Sequence, residues 1–198
     1  MPKLYNFQRS GNCYKVRLMA ALLGVDYERV DFDPPAGDHK KPDYLAINPM
    51  GQVPTWVEDD GTTICDSHAI LVYLAKKYGN TDWLPDDPAG QAEVTRWLSF
   101  TAFEILSGIA FTRAIKIMGR PGDFDTQREM GLKAMSVLDG QLGRQPYLAA
   151  NHVTIADIAA YPYVSLAGDA EIDINDYPNV AAWAARIEAL SNFEPLNA

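Results

Sequence analysis

The sequence predicts a protein of two parts, an α/β segment followed by an all-helical segment. Three observations predict this fold class. Short strand-like and longer helix-like patterns alternate up to about residue 79, a connector rich in proline and aspartate follows at 80–88, and no convincing strand pattern appears after it. We therefore predict domains at residues 1–79 and 89–198, joined by a linker at 80–88.

The first domain is predicted to follow the order βαβαββα. Its strand patterns are KLYNF (3–7), YERVDFD (27–33), TWVED (55–59) and TTICD (62–66), and its helix patterns lie at 10–23, 42–47 and 68–79. A helix joins the first two strands, which must therefore run parallel, whereas Asp60-Gly61 suits a tight antiparallel hairpin of the last two. The predicted sheet is consequently mixed.

The second domain is predicted to be a helix bundle. Its helical patterns cover about 89–117, 124–143, 154–168 and 178–190. The clearest local signal is Thr154-Ile155-Ala156-Asp157, in which Thr154 and Asp157 can each satisfy a backbone amide at the start of a helix. We interpret this capping box as structural, without a catalytic role.

Composition indicates a globular chain with no nucleic acid, membrane or metal partner. The 198 residues are 47% hydrophobic and 22% charged, and the formal net charge is −9, whereas nucleic-acid binding needs concentrated positive charge. We find no secretory signal and no apolar run long enough to cross a bilayer, so a cytoplasmic location is expected. The two cysteines, Cys13 and Cys65, lack the spacing of a disulfide framework or a metal site.

Three short segments carry candidate binding chemistry. Ser10 precedes the first helix, where unpaired amides and the helix dipole favour an anion such as a thiolate. Val53-Pro54 stands before the third strand, and Asp66-Ser67 opens a helix with a carboxylate, a hydroxyl and free amides. Taken singly, these segments are commonly a helix cap, a strand-starting proline and a second cap. Taken together, they fit a ligand with a thiol, a peptide and a free α-amino acid end, all of which glutathione has.

Four segments resemble the cytosolic glutathione S-transferases from end to end: SGNCYKVRLMAALLG, INPMGQVPTW, CDSHAILVYLAKKYG and TIADI. The pattern is that of bacterial-type members and of the serine-type theta and zeta classes, which carry a serine at the position of Ser10. The resemblance implies a thioredoxin-like first domain, a helical second domain, and a homodimeric transferase that uses glutathione as co-substrate in detoxification.

The same resemblance assigns binding residues. Pro54 is expected to follow a cis peptide bond, and Val53 to pair its backbone with the cysteinyl part of glutathione. Asp66 and Ser67 are expected to bind the γ-glutamyl end. The remaining binding candidates are Lys40, for the glycyl carboxylate, with His39 and Lys41 as its alternatives, and Gln52, for a further polar contact.

The group that activates the thiol is less clearly specified. Ser10 is the first candidate, because its hydroxyl could donate a hydrogen bond to the sulfur and lower the thiol pKa. Asn12 is the second catalytic candidate. Cys13 could form a mixed disulfide if it were exposed, although a free cysteine is more often buried in the core.

The predicted reaction is attack of the glutathione thiolate on a small electrophile, without a metal and without a covalent enzyme intermediate. Lowering a thiol pKa by about 2 units requires roughly 2.7 kcal/mol, which a hydroxyl hydrogen bond and a helix terminus can supply. Two alternatives would share this site. One is a glutathione-dependent disulfide reductase or peroxidase, and the other is a non-catalytic binding module of the same fold.

Overall fold

The chain forms two compact units in the computed structural model, which describes residues 1–33 and 36–196. The first unit comprises Met1–Asn80 with Ser191–Ala198, and the second comprises Thr81–Leu190. The first unit contains every strand of the described residues, and the second is helical. The fold class predicted from the sequence is therefore confirmed.

A four-stranded mixed sheet organises the first unit. Its strands are β1 (Lys3–Asn6), β2 (Glu28–Asp31), β3 (Thr55–Val57) and β4 (Thr63–Cys65), in the order β2-β1-β3-β4. β1 pairs with β2 in parallel, and β3 pairs with both β1 and β4 in antiparallel fashion. Trp56, in the middle of β3, lies opposite Leu4 of β1 and is completely buried. The predicted combination of a crossover and a hairpin is thus confirmed.

Three helices complete the first unit: α1 (Gly11–Leu23), α2 (Pro42–Ile47) and α3 (Ser67–Tyr78). α1 and α3 pack against each other. Val16 and Met19 on α1, with Ile70 and Leu74 on α3, are fully buried. Burial of each such side chain contributes about 1.5–3 kcal/mol, so this interface holds the two helices in a fixed relation.

The C-terminal residues of the first unit are held against α1. Tyr14 donates a hydrogen bond from its hydroxyl to the carbonyl of Glu194 at 2.7 Å. Arg17, only 1% exposed, donates to the carbonyl of Leu196 at 3.2 Å and to the side chain of Asn6 at 2.6 Å. One buried guanidinium therefore links the first strand, the first helix and the end of the chain.

Six α- or π-helical segments build the second unit, together with short 3-10 helices at Ala167–Ala170 and Ile174–Asp176. The six segments are α4 (Pro88–Phe100), a π-helical segment (Thr101–Ala110), α5 (Phe111–Met118), α6 (Phe124–Leu142), α7 (Ile155–Val164) and α8 (Pro178–Glu188). The π-helical segment packs against α6 and brings Gly108 next to Gly131. A Cβ atom on Gly108 would lie 2.4 Å from the Gly131 nitrogen, so a side chain there would force the helices apart.

The helical run Pro88–Met118 combines α4, the π-helical segment and α5. Among the described residues it is the one helix that meets the criteria for a membrane span, with a length of 31 residues and a mean hydropathy of 1.3 over its most apolar 18 residues. We expected no apolar run long enough to cross a bilayer. By its length and composition, this helix contradicts that expectation. The central helix of a soluble bundle meets the same criteria, and this run packs against α6 and α7 within its own unit.

The predicted capping box at the start of α7 is confirmed. Thr154 accepts a hydrogen bond from the Ala156 amide at 3.3 Å, and the buried carboxylate of Asp157 accepts one from the Thr154 amide at 2.9 Å. Asp157 also accepts hydrogen bonds from the Leu148 amide and the Trp183 indole, each at 2.9 Å. The motif thus fixes a loop and a second helix as well as the start of α7.

Candidate functional site

Ser10 lies at the N-terminus of α1, as the sequence predicted. Its Oγ accepts a hydrogen bond from the Cys13 amide at 3.3 Å, which caps the helix. Because Oγ is the acceptor in this bond, the hydroxyl proton of Ser10 is still available to donate. The first turn of α1 contains no acidic residue, and its first amides lack acceptors within the helix. This end of α1 is therefore suited to a negatively charged sulfur.

The loop before β3 presents backbone groups that the sheet does not use. The Val53-Pro54 peptide bond is cis, as the resemblance implied. Val53 precedes the ladder, which begins at Thr55, and its N–H and C=O have no hydrogen bond to another described residue. An extended peptide could pair with this one residue as it would with the edge of a sheet.

A hydrogen-bond network holds this loop in place. Asn48 donates from its side-chain amide to the Gln52 carbonyl at 2.8 Å and to the Thr55 hydroxyl at 3.0 Å. The Tyr44 hydroxyl also donates to the Gln52 carbonyl and lies 2.9 Å from the Thr55 hydroxyl. Gly51 adopts a φ of +58°, where a side chain would be strained. These contacts fix the backbone immediately before Val53.

The N-terminus of α3 offers a carboxylate and a hydroxyl side by side. Asp66 caps the helix, with Oδ1 accepting hydrogen bonds from the amides of His68 at 2.8 Å and Ala69 at 3.2 Å. Its Oδ2 accepts no hydrogen bond from another described residue. Ser67 is 4% exposed, and its hydroxyl has no hydrogen-bond partner in the described part of the chain. This end of α3 can therefore receive both an ammonium group and a carboxylate.

These groups meet in one cleft of about 270 Å³ in the first unit. The volume is close to the lower end of the about 300–1,000 Å³ of small-molecule sites. Of the eight residues predicted from the sequence, six line this cleft: Asn12, Gln52, Val53, Pro54, Asp66 and Ser67. Asn48, Met50 and Cys65 also line it, although the sequence did not single them out for binding.

Two predicted residues, Ser10 and Lys40, are not part of the cleft lining. The Ser10 hydroxyl caps α1 two residues before Asn12, which does line the cleft. Lys40 donates from Nζ to the carbonyl of Gly51 at 3.2 Å and lies 3.5 Å from that of Met50. Its ammonium group thus lies on the loop that borders the cleft, and it retains donor capacity beyond these carbonyls.

The two cysteines differ in accessibility. Cys13 is fully buried, and burial raises the pKa of its thiol to about 11. Its Sγ accepts a hydrogen bond from the Phe7 amide at 3.3 Å, so it serves as a core residue of α1. Cys65 is partly exposed in the cleft, with Sγ 3.9 Å from the Thr55 hydroxyl.

Sequence reasoning missed a buried polar pair behind the cleft. Lys15, on α1, is 2% exposed, and its Nζ donates to Nε2 of His68 on α3 at 3.0 Å. A lysine inside the apolar pattern of α1 was a visible signal, because lysine is almost never fully buried without a partner. Within residues 1–33 and 36–196, no cluster of three or more His, Cys, Asp or Glu side chains is placed to hold a metal ion.

Comparisons with known families match both units. Residues 9–77 match the family described as "Glutathione S-transferase, N-terminal domain". Residues 105–191 match the family described as "Glutathione S-transferase, C-terminal domain". The first match contains nearly all of the cleft-forming segments described above.

Individual relatives are similar over most of their length. Glutathione S-transferase D7 of Drosophila melanogaster is 32% identical over 184 residues, which are 91% of this chain and 81% of the relative. The crystal structure of a glutathione S-transferase from Pseudomonas fluorescens superposes with a TM-score of 0.94 at 36% identity, covering 100% of this chain and 99% of that one. A glutathione transferase homolog from Drosophila mojavensis, solved with bound glutathione, gives a TM-score of 0.86 at 28% identity, covering 96% and 88% of the two chains.

Proposed function

Because the chain belongs to the glutathione S-transferase family, we propose that the cleft of the first unit is its glutathione site. The protein is a transferase, and glutathione is its co-substrate. One observation carries the assignment of the site. Three segments that were predicted from the sequence to bind one ligand line a single cleft. Polar groups of these segments have no hydrogen-bond partner there among the described residues.

Each part of glutathione has a complementary group in this arrangement. The α-ammonium of the γ-glutamyl residue pairs with the carboxylate of Asp66, and the adjacent α-carboxylate accepts hydrogen bonds from the hydroxyl and the amide of Ser67. The cysteinyl backbone pairs with the free N–H and C=O of Val53. Gln52 contacts the peptide, and the ammonium group of Lys40 attracts the glycyl carboxylate from the loop beside the cleft.

We propose that the sulfur lies at the N-terminus of α1. The hydroxyl of Ser10 and the side-chain amide of Asn12 donate hydrogen bonds to it, and the helix terminus adds a favourable potential. Both effects favour the thiolate over the thiol, so the pKa of bound glutathione falls. The thiolate then attacks a small electrophile and displaces its leaving group, with no protein thiol involved.

Calorimetric titration with glutathione tests the binding site. We expect Asp66→Asn and Ser67→Ala each to weaken the affinity by about tenfold or more, because each removes a hydrogen bond to a charged group worth about 1.5–3 kcal/mol. Thr62→Ala, in the exposed turn between β3 and β4, is the control and should bind like the wild type. Equal affinities in all four proteins would place the ligand elsewhere.

Ultraviolet titration of bound glutathione tests the activating groups. Ser10→Ala and Asn12→Ala should each return the thiol pKa toward its solution value of about 8.5. Ser10→Ala also removes a helix cap, whereas Ser10→Gly removes the hydroxyl at a smaller cost in capping. A pKa that Ser10→Gly leaves unchanged would assign the activation to Asn12 alone.

The alternative activities receive less support from the site. A disulfide reductase that used a protein thiol would need an exposed cysteine at the start of α1, but Cys13 is fully buried. The unpaired cleft groups and the family match also favour an enzyme over a binding module. Turnover of chlorodinitrobenzene, compared with turnover of a peroxide and a disulfide, identifies the class of electrophile.

We further propose a soluble, cytoplasmic homodimer. Each unit exposes large apolar side chains that an interface with a second copy could cover, among them Met50 and Val72 in the first unit and Phe103 and Val137 in the second. Light scattering of the purified protein tests this proposal. A molar mass near that of the 21.9 kDa chain at micromolar concentration would refute the dimer.

A further inference from the structure

The buried pair of Lys15 and His68 lies directly behind the proposed γ-glutamyl site. His68 is the second residue of α3 and follows Ser67, whose side chain lines the cleft. Lys15 is one helical turn beyond Asn12, which lines the cleft from α1. The bond from Lys15 Nζ to His68 Nε2, 3.0 Å long, therefore connects the two helices whose N-termini form the cleft.

Burial and charge determine the protonation of this pair. Burial lowers the pKa of Lys15 to about 7, and the negative charge of Asp66 opposes part of that decrease. Burial and the neighbouring Lys15 cation also lower the pKa of His68, which therefore stays neutral near pH 7 and accepts the hydrogen bond. The proton that can be gained or lost near neutrality is consequently the one on Lys15.

Two titratable groups at the start of α3 act on this lysine: Asp66, in the turn before the helix, and His68, on the helix. Arg17 is two residues further along α1 but responds to a different set of groups: Cys13, Tyr27, Arg29 and Glu194. The charge at the N-terminus of α3 therefore influences the protonation of Lys15.

We propose that Lys15 is a positioning residue whose proton is linked to ligand binding, so that an anionic γ-glutamyl ligand binds together with a proton taken up by Lys15. The inference rests on the proposed glutathione site. In the arrangement proposed above, the α-carboxylate of the ligand binds at Ser67, which adjoins His68, whereas the glycyl carboxylate lies on the loop of Lys40. The negative charge of this α-carboxylate favours the protonated lysine behind it, and by linkage the protonated lysine favours binding of the carboxylate to the same extent.

Proton uptake on binding provides a direct test. We would titrate the full chain with S-methylglutathione, which has no ionisable thiol, at about pH 7.5 in several buffers of different ionisation enthalpy. We expect uptake on the order of half a proton per ligand, because Lys15 is mostly neutral in the free protein and mostly charged in the complex. The dissociation constant should rise roughly fivefold between about pH 6.5 and pH 8.5.

Two variants assign the proton. Lys15→Met, which has a side chain of similar length, should abolish both the uptake and the pH dependence, and Lys133→Met, an exposed lysine of the second unit, should change neither. His68→Gln should retain the uptake, because its side-chain oxygen can still accept from Lys15. Circular dichroism checks that each variant is folded.

The possible outcomes separate this inference from the proposal it rests on. Absence of S-methylglutathione binding by the wild type would remove the glutathione site itself. Binding without proton uptake, or uptake that persists in Lys15→Met, would refute the role of Lys15 and leave the site intact. Loss of uptake in His68→Gln, with the protein folded, would assign the proton to His68 and likewise refute the inference.

Discussion

Replacing Lys15 with methionine should change how the stability of the protein depends on pH. The pKa of Lys15 is about 7 in the folded chain and about 10.5 in the unfolded chain, so between these values the unfolded chain binds more protons. The free energy of unfolding contributed by this residue therefore rises with pH across that window. Lys15→Met has no proton to exchange and should lack this rise.

The size of the effect follows from the pKa difference. Each pKa unit corresponds to about 1.4 kcal/mol, so a decrease of about 3.5 units sets an upper limit of about 5 kcal/mol on the cost of keeping the buried lysine charged. Allowing for local relaxation, we expect the difference in unfolding free energy between wild type and Lys15→Met to change by about 2–4 kcal/mol from about pH 7 to pH 10. The variant should be relatively more stable at the lower pH.

Urea denaturation of both proteins at several pH values measures this difference. Comparing the two proteins is necessary because other groups titrate in the same range: burial raises the pKa of Tyr44 and of Tyr27, which lowers stability at the alkaline end for both proteins. Equal m-values would show that the variant unfolds to the same extent. A stability difference that stays constant from pH 7 to pH 10 would refute the titration of Lys15 in this window.

Four further variants test other parts of the structure. Tyr44→Phe removes one hydrogen bond to the loop before Val53 and should weaken glutathione binding severalfold in calorimetry while leaving kcat nearly unchanged. Arg17→Met should destabilise the protein by about 2–4 kcal/mol in urea, because it leaves a buried acceptor without its donor. Asp157→Ala should cost about 3 kcal/mol or more, since four buried donors, among them the Thr154 hydroxyl, lose their partner. Cys13→Ser should retain full conjugating activity, and the wild-type Cys13 should react with thiol reagents only when urea unfolds the chain.

Local patterns were sufficient to predict most of the fold. The strands and helices of the first unit follow from alternation, helical periodicity and the Asp60-Gly61 turn, each of which depends on residues close in sequence. The π-helical segment Thr101–Ala110 was not predictable in this way. The π-helical bonding comes with a close contact of Gly108 that depends on Gly131, from another helix.

Those residues of the candidate site that belong to short sequence motifs were predictable. Val53, Asp66 and Ser67 stand in short segments whose local chemistry suggested a ligand, and the structure brings those segments to one cleft. Lys40 was proposed for its charge and its loop, but its ammonium group contacts backbone carbonyls at the border of the cleft. The position of the charged group at the end of a long, flexible side chain depends on tertiary packing, which cannot be read from the sequence.

The buried polar groups were the least predictable part of the molecule. Lys15 and Arg17 stand within two residues of each other on α1, in a pattern that would normally place lysine and arginine in solvent. Each is buried because a partner distant in sequence satisfies it, His68 for Lys15 and Asn6 for Arg17. Such pairings depend on which strand and which helix pack against α1, and no local signal encodes that.

The two buried cations of α1 have different consequences, and the difference explains why only one is a candidate for proton linkage. Burial lowers the pKa of Arg17, but its guanidinium stays protonated throughout the physiological range, because arginine is not deprotonated in proteins. It can therefore act only as a fixed link between β1, α1 and the end of the chain. An ammonium group in a similar position changes its charge near pH 7, since lysine shifts its pKa readily when buried. Because Lys15 adjoins the end of α3 that the ligand is proposed to occupy, its charge can respond to the ligand, whereas that of Arg17 cannot.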